Sequence, residues 1–283
     1  MAAYIFFVDD KNYEICERKG LAGVTDYKDP SYTQEKIISQ LAGIRRGDYI
    51  LFYVNAKKEI RGVFKALEKP FYDTTQVWEN STYPFRVRIE NDIAHFKNPI
   101  HLSDVWDLRD RGLIWTFAFD TWGGVSCKSI TNEEFKQLLN LFYQVNLIRS
   151  EKIQTKEPYP YYEPYLPLHI DYNSKKLQYE PTLLSLILQK LADNKLKELF
   201  GNYSDYIIYV PTSFNKQIDL LLIYNHPNNS EQVMGYNIIE IKRDKFDERS
   251  LSQLLQYEDW FLRKKVSKLS VNHVLMASQT KFD

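Results

Sequence analysis

The chain lacks most of the features that mark membrane, secreted or polyanion-binding proteins. Its 283 residues contain two cysteines, Cys16 and Cys127. They lie far apart without a Cys-x-x-Cys spacing, which supports neither a zinc site nor a disulfide framework. The five histidines show no ligand spacing either. No apolar run approaches the ~20 residues that cross a bilayer. The opening stretch has no basic segment ahead of its short apolar run 4–8, unlike a secretory leader. A soluble, cytoplasmic protein is expected. Net charge is also missing, with 37 Lys and Arg against 37 Asp and Glu, so any nucleic-acid footprint must be a local patch. There is no internal repeat.

What is present is an apolar content of 44%, enough for one large domain or two ordinary ones. Runs 4–8 and 48–54 read as buried strands, the latter followed across Asn55-Ala56-Lys57-Lys58 by the alternating run 59–66, which predicts a hairpin. Residues 85–89 alternate apolar and basic, putting Arg86 and Arg88 on one face. Helices are expected near 34–43 and 133–147. Four prolines crowd residues 158–167, which neither helix nor central strand tolerates. The expected division is a front domain over 1–150, a Pro/Tyr-rich linker over 151–175 and a rear domain over 176–283. The rear domain reads as α/β, with a helix over 180–200, strands near 206–210, 218–224, 235–241 and 271–277, and a helix over 248–266.

The rear domain holds the residues that suggest chemistry. Asp219 interrupts the apolar run Ile218-Asp219-Leu220-Leu221-Leu222-Ile223, and Glu240 ends the run Tyr236-Asn237-Ile238-Ile239-Glu240. Burying a carboxylate in such a strand is costly unless it is paired or metal-bound. Two on neighbouring strands facing one way would hold a magnesium ion, with the Ile241 carbonyl as a third ligand. Lys242 shares a face with Glu240, beside the metal. Gln253 and Tyr257 share a face of the following helix, a polar stripe that Arg249, Trp260 and Lys264 extend along a phosphate backbone. Leu251, Leu254, Leu255, Phe261 and Leu262 are expected on its buried side.

Asp219, Glu240-Ile241-Lys242 and Gln253-Leu254-Leu255-Gln256-Tyr257 resemble the motif of the PD-(D/E)xK nuclease superfamily, in the branch of the RecB-type and NucS-type enzymes, over 176–283. The resemblance implies a restriction-endonuclease-like α/β core, a Mg²⁺ or Mn²⁺ cofactor and phosphodiester hydrolysis. It gives catalytic roles to Asp219, Glu240, Lys242, Gln253 and Tyr257, and ligand roles to Asp219, Glu240 and Ile241. Glu180 fits the acidic position on the first core helix, though an acidic residue before Pro181 is equally an ordinary helix cap.

Residues 36–90 hold ten Lys and Arg against six Asp and Glu, interspersed with Tyr53, Tyr72, Trp78, Tyr83 and Phe85. An aromatic-lined pocket rimmed by positive charge is what a reader of an extruded base needs. Trp78, Tyr83 and Tyr53 are the candidates to touch a base, with Trp106 and Trp122 in reserve, and Arg86, Arg88 and Arg249 to touch phosphate. Gly47-Asp48 with the strand after it, Gly62-Val63-Phe64 and Tyr83-Pro84-Phe85-Arg86-Val87 resemble the EVE domains, PUA-like barrels related to YTH readers. That resemblance implies a pocket for a single flipped base, often a modified one.

Together these readings predict a two-domain α+β protein, with a PUA-like β-barrel in front and a nuclease core behind. The expected function is a metal-dependent endonuclease that recognises a modified base and cuts nearby DNA, in the manner of restriction of modified DNA, with a homodimer expected for a double-strand cut. A repair or mismatch endonuclease of NucS-like type and a catalytically inactive DNA- or RNA-binding protein remain open.

Overall fold

The structure, a computed structural model, describes residues 2–27, 31–91, 96–116, 126–147, 154–171, 176–243, 247–264 and 270–277. The chain forms two compact units, residues 1–167 and 168–283.

Unit 1 begins with β1 (Ala3–Val8) and α1 (Asp10–Lys19), followed by β2 (Leu21–Val24), α2 (Tyr32–Ala42), β3 (Tyr49–Val54) and β4 (Glu59–Ala66). Then come β5 (Phe71–Tyr72), β6 (Phe85–Asn91), β7 (Ile100–His101), α3 (Leu102–Asp110), β8 (Cys127–Ile130) and α4 (Asn132–Val145). The strands form one curled mixed sheet in the order β2-β6-β4-β3-β1-β8, with β5 on β6 and β7 on β4. β1 pairs parallel with β3 and antiparallel with β8. The expected hairpin joins β3 to β4 through the short turn Asn55–Lys57, closed by Lys58 in the left-handed region. Sequence reading missed α1, a mostly polar helix. Asp9 starts it by accepting from the Asn12 amide at 2.7 Å, and Gly20 ends it at φ 61°. A side chain at Gly20 would also strike the Ile89 carbonyl, so both backbone angle and close packing require glycine there.

The proline-rich stretch is no free tether. Its Tyr159 is buried against unit 1 and, with Tyr162, stacks over Phe71. This covers the β6 face that carries Arg86 and Arg88.

Lys128 on β8, at the other end of the sheet, gives unit 1 a pH response. Burial, and then the nearby Lys36 charge, pull its ammonium down to about 7, only partly opposed by Glu134. The unfolded chain therefore holds a proton that the folded unit releases between about pH 7 and about pH 10. The stability tied to this group is complete above the unfolded value and is lost as pH falls through the folded one. Lys128→Met is expected to raise the urea midpoint of unit 1 more at pH 7 than at pH 10; an equal effect at both would refute the assignment.

Unit 2 comprises a small pair, β9 (Ile170–Asp171) and β10 (Lys176–Leu177), then α5 (Glu180–Ala192), α6 (Lys197–Phe200), β11 (Asp205–Pro211), β12 (Gln217–His226), β13 (Asn229–Lys242), α7 (Glu248–Lys264) and β14 (Ser270–Ala277). The single helix expected over 180–200 is two, because Asn194 and Leu196 take left-handed φ values of 55° and 66° between them. The sheet runs β11-β12-β13-β14, antiparallel except for the parallel β13–β14 pair that α7 connects. α5 and α7 both pack on β13. The buried side of α7 agrees with the expected one at Leu254 and Phe261 and differs at the other positions. Leu254, Tyr257 and Phe261 are buried, whereas Leu251, Leu255 and Leu262 are 40–52% exposed. Tyr257 goes inward because its hydroxyl finds the Gln217 carbonyl at 2.7 Å, which relieves the cost of burying it.

Candidate functional sites

In unit 2 the strands bring together residues that are distant in sequence. The β12–β13 register pairs Leu220 with Ile239, so Asp219 and Glu240 stand one step further along their strands. On the other side of β12, pairing with β11 runs Ile208 to Leu220 and Val210 to Ile218, passing over Tyr209, whose φ of 50° is left-handed. A non-glycine residue in that conformation within a strand is strained, and it interrupts the ladder opposite Asp219 while the register stays unchanged.

Asp219 accepts from the Ile241 amide at 2.9 Å, which ties the Ile241 main chain to it. Glu240 is 1% exposed. Its Oε1 accepts from Lys242 Nζ at 2.5 Å and from Gln253 Nε2 at 2.8 Å. Gln253 also bonds the Tyr257 hydroxyl. A chain of contacts thus runs from the Glu240 carboxylate through Gln253 and Tyr257 to the backbone of β12. Glu180 is the first residue of α5, ahead of Pro181 and with Tyr179 in the cap position, and accepts from the Arg243 amide at 3.4 Å. Its charge reaches both carboxylates and Lys242. Arg249 is exposed on the first turn of α7 and joins none of these contacts, and the Lys264 side chain lies outside the described residues.

Electrostatically this centre is short of positive charge. Burial raises Asp219, and the Glu240 charge raises it further, with Glu180 adding to both carboxylates. Burial alone would lower Lys242, but its bond to Glu240 and the surrounding carboxylates leave it raised and charged. Glu240 Oε2 is buried with no hydrogen-bond partner among the described residues, an arrangement that proteins rarely leave uncompensated. Two carboxylates, one with an idle oxygen, fit a hard divalent cation. Among the described residues no three His, Cys, Asp or Glu side chains form a ready-made cage. Magnesium does not need one, since it is commonly held by one or two carboxylates and completed by waters and substrate phosphates.

In unit 1 a cavity of about 230 Å³ opens between β1, α1, β2 and the loop before β6, lined in part by Asp9, Asn12, Gly23, Thr25, Trp78 and Tyr83. The Trp78 and Tyr83 rings meet edge to face at 5.3 Å and 84°. Tyr83 holds its place with φ 40° while its hydroxyl accepts from Asn12 Nδ2 at 3.2 Å. Asn12 Nδ2 also donates to Asp9 at 3.0 Å. Gly23 is needed as wall, because a Cβ there would lie 2.7 Å from the Trp78 ring.

Trp78 and Tyr83 thus share the cavity, although Trp78 is 2% exposed and offers little more than an edge. Asp9, Asn12 and Gly23 were missed; in sequence, Asp9 and Asn12 look like a helix cap and Gly23 like an interruption of β2. Three expected contacts are corrected. Tyr53 is buried in the hydrophobic core and packs on Phe7 rather than lining the cavity. Arg86 is fully buried, with every donor taken by Asp73, Tyr159 and the carbonyls of Thr75, Thr82 and Tyr83. Arg88 is half-buried and paired through both Nε and Nη2 with Glu68. The two arginines do face alike, but residues 159–161 cover that face. Trp106 is exposed on α3, away from the cavity, and Trp122 lies outside the described residues.

Residues 24–141 match the EVE domain model, so this part of the chain is an EVE domain, on a curled sheet of the expected PUA-like kind. Solved structures similar to the chain include a hypothetical protein from Leishmania major (13% identity, TM-score 0.38, covering 51% of this chain and 96% of that one). Human THYN1, solved in complex with DNA containing 5-methylcytosine, is 16% identical with a TM-score of 0.37, over 50% and 98% of the two chains. The MmI1 YTH domain is 15% identical with a TM-score of 0.36, over 52% and 98%. No curated protein matches the chain. Among the described residues no helix is long and apolar enough to cross a membrane.

Proposed function

We propose that the chain is a divalent-metal-dependent endonuclease in which the EVE domain reads a modified base flipped out of DNA and unit 2 hydrolyses a phosphodiester nearby, as in restriction of modified DNA. The observation that carries the cutting half is the buried, unpartnered Glu240 Oε2 beside Asp219, with Lys242 fixed on the other oxygen. Asp219, Glu240 and the Ile241 main chain would hold Mg²⁺ or Mn²⁺, with Glu180 at the edge of the set. A bound cation would supply Lewis acidity to the phosphate oxygens and make a bound water easier to deprotonate. Lys242 is placed to stabilise charge growing on the phosphate oxygens. Gln253 holds Glu240 in orientation and is itself held by Tyr257.

The reading half is supported by the EVE match and by a cavity that sets aromatic edges beside the Asp9 and Asn12 polar groups. Extrusion of a base costs a few kcal/mol, which ring contacts and hydrogen bonds to its polar edge must repay. A cut through both strands takes two such centres, so the proposal includes a homodimer on DNA.

The test is a cleavage panel of otherwise identical DNAs carrying modified cytosine, modified adenine or neither, with Mg²⁺, Mn²⁺ or EDTA. Metal-dependent cutting confined to one modification is expected. Cutting of unmodified mismatched DNA instead would favour a repair enzyme. Tight binding without any cutting would leave a binding protein.

A further inference from the structure

Unit 2 has a second concavity that the metal-site reading does not use. A cleft of about 630 Å³ lies between the β11–β12 hairpin and the C-terminal half of α7, and its walls include Phe214, Lys216, Gln256, Trp260 and Arg263. The hairpin is built to hold its side of the cleft. Thr212 bonds the Lys216 main chain through both its own backbone and its side chain, and Asn215 takes φ 61° to close the turn. Phe214, at the tip, stays 37% exposed and stacks on Tyr257 at 5.9 Å and 23°. Lys216 is close enough to Glu240 for its charge to act on that carboxylate. Phe214 also stacks on the Tyr257 whose hydroxyl bonds Gln253, the residue that holds Glu240, so contacts connect the cleft to the proposed metal site. On the helix side, Trp260 Nε1 is buried with no partner among the described residues. Arg263 is oriented by a two-point pair with Asp259, at 3.0 and 2.7 Å.

Two aromatic rings, the Lys216 cation and an Arg263 already paired with Asp259, which also lines the cleft, make a poor site for an apolar ligand or a free cation. They suit a planar base joined to phosphate, because base stacking on aromatics tolerates any sequence and cations track the backbone. We propose that this cleft binds one unpaired nucleotide of the strand being cut, next to the scissile phosphate. Its base lies against Phe214 and Trp260, and its phosphate lies by Lys216. This inference rests on reading the Asp219–Glu240 centre as a nuclease. A base still paired inside a duplex has no free face to offer, so the cleft selects single strands, flaps or frayed ends.

The experiment measures binding of a short fluorescein-labelled oligothymidylate, and of a blunt duplex, to the full chain by anisotropy in Ca²⁺. Trp260→Ala and the exposed, fold-tolerant Phe214→Ala are each expected to weaken oligothymidylate binding about tenfold, the loss of roughly one stacked base. Trp260→Phe should restore most of it, and duplex binding should change little. Unchanged oligothymidylate affinity in Phe214→Ala and Trp260→Ala would overturn the proposal, as would an equal loss for the duplex. In a Glu240→Gln background, which should fail to cut, Phe214→Ala should still weaken oligothymidylate binding about tenfold. If Glu240→Gln cuts normally, the nuclease reading fails on its own account.

Discussion

Arg86→Ala is expected to destabilise unit 1 by about 3–5 kcal/mol, the usual cost of removing one partner from a buried ion pair. Folded domains have only ~5–15 kcal/mol in hand, so a large part of the unit's stability would go. The guanidinium is 0% exposed. It bonds Asp73 at 2.8 Å, Tyr159 Oη at 2.7 Å, and the Tyr83 and Thr82 carbonyls at 3.0 and 2.7 Å, with the Thr75 carbonyl as a fifth partner. Truncation leaves the Asp73 carboxylate without its cation and three carbonyls without a donor. Lysine cannot substitute, since three donors on a flexible stem do not reproduce a planar five-donor fork. Arg86→Lys should therefore recover little.

Urea unfolding checks this. The double variant Asp73→Asn/Arg86→Met should be less destabilised than the sum of its single changes, because it removes both charges together. Simple additivity would show that the pair is not what holds the loop. The effect also reaches the cavity. Arg86 stacks 5.4 Å from the Trp78 ring and fixes the Tyr83 carbonyl, so its loss should loosen both aromatic walls.

That arginine also shows what the sequence could and could not tell. Alternation along β6 correctly places Arg86 and Arg88 on one face. It carries no information on what covers the face, and Tyr159, 73 residues further on, does so. The α7 pattern was similarly ambiguous. Leu254 and Phe261 are buried as expected, but Leu251, Leu255 and Leu262 have helical spacing too, and a hydrogen bond to another strand is what turns Tyr257 inward in their place. In unit 2 the carboxylates were legible because a charge inside an apolar strand is costly wherever the strand goes. Lys216 and the cleft beside it were not, since a lysine in a polar hairpin turn looks like any solvated loop residue. Asp9 and Asn12 were hidden for a related reason: a helix cap explains them fully until Tyr83 and Trp78 arrive from 71 and 66 residues away.

On the nuclease reading, Glu240→Gln and Lys242→Met should both abolish cutting, yet for separable reasons. Either change is expected to lower metal-dependent cleavage by about 10³-fold or more, equivalent to the several kcal/mol of transition-state stabilisation that such centres supply. Glutamine keeps the shape of Glu240 and its bond from Gln253, but removes the charge and one of the oxygens a cation would take. Mg²⁺ should then no longer raise the melting temperature of unit 2, an effect that reports binding to the folded state alone. Lys242→Met acts the other way. With Nζ gone from Oε1, the Glu240 carboxylate keeps its charge and loses a competing cation, so Mg²⁺ should stabilise the unit at least as well as in the parent while cutting still fails. Loss of the metal response in Glu240→Gln, together with its retention in Lys242→Met, separates the ligand from the transition-state stabiliser. If both variants keep the metal response and the cutting, the idle Glu240 oxygen is not a metal site.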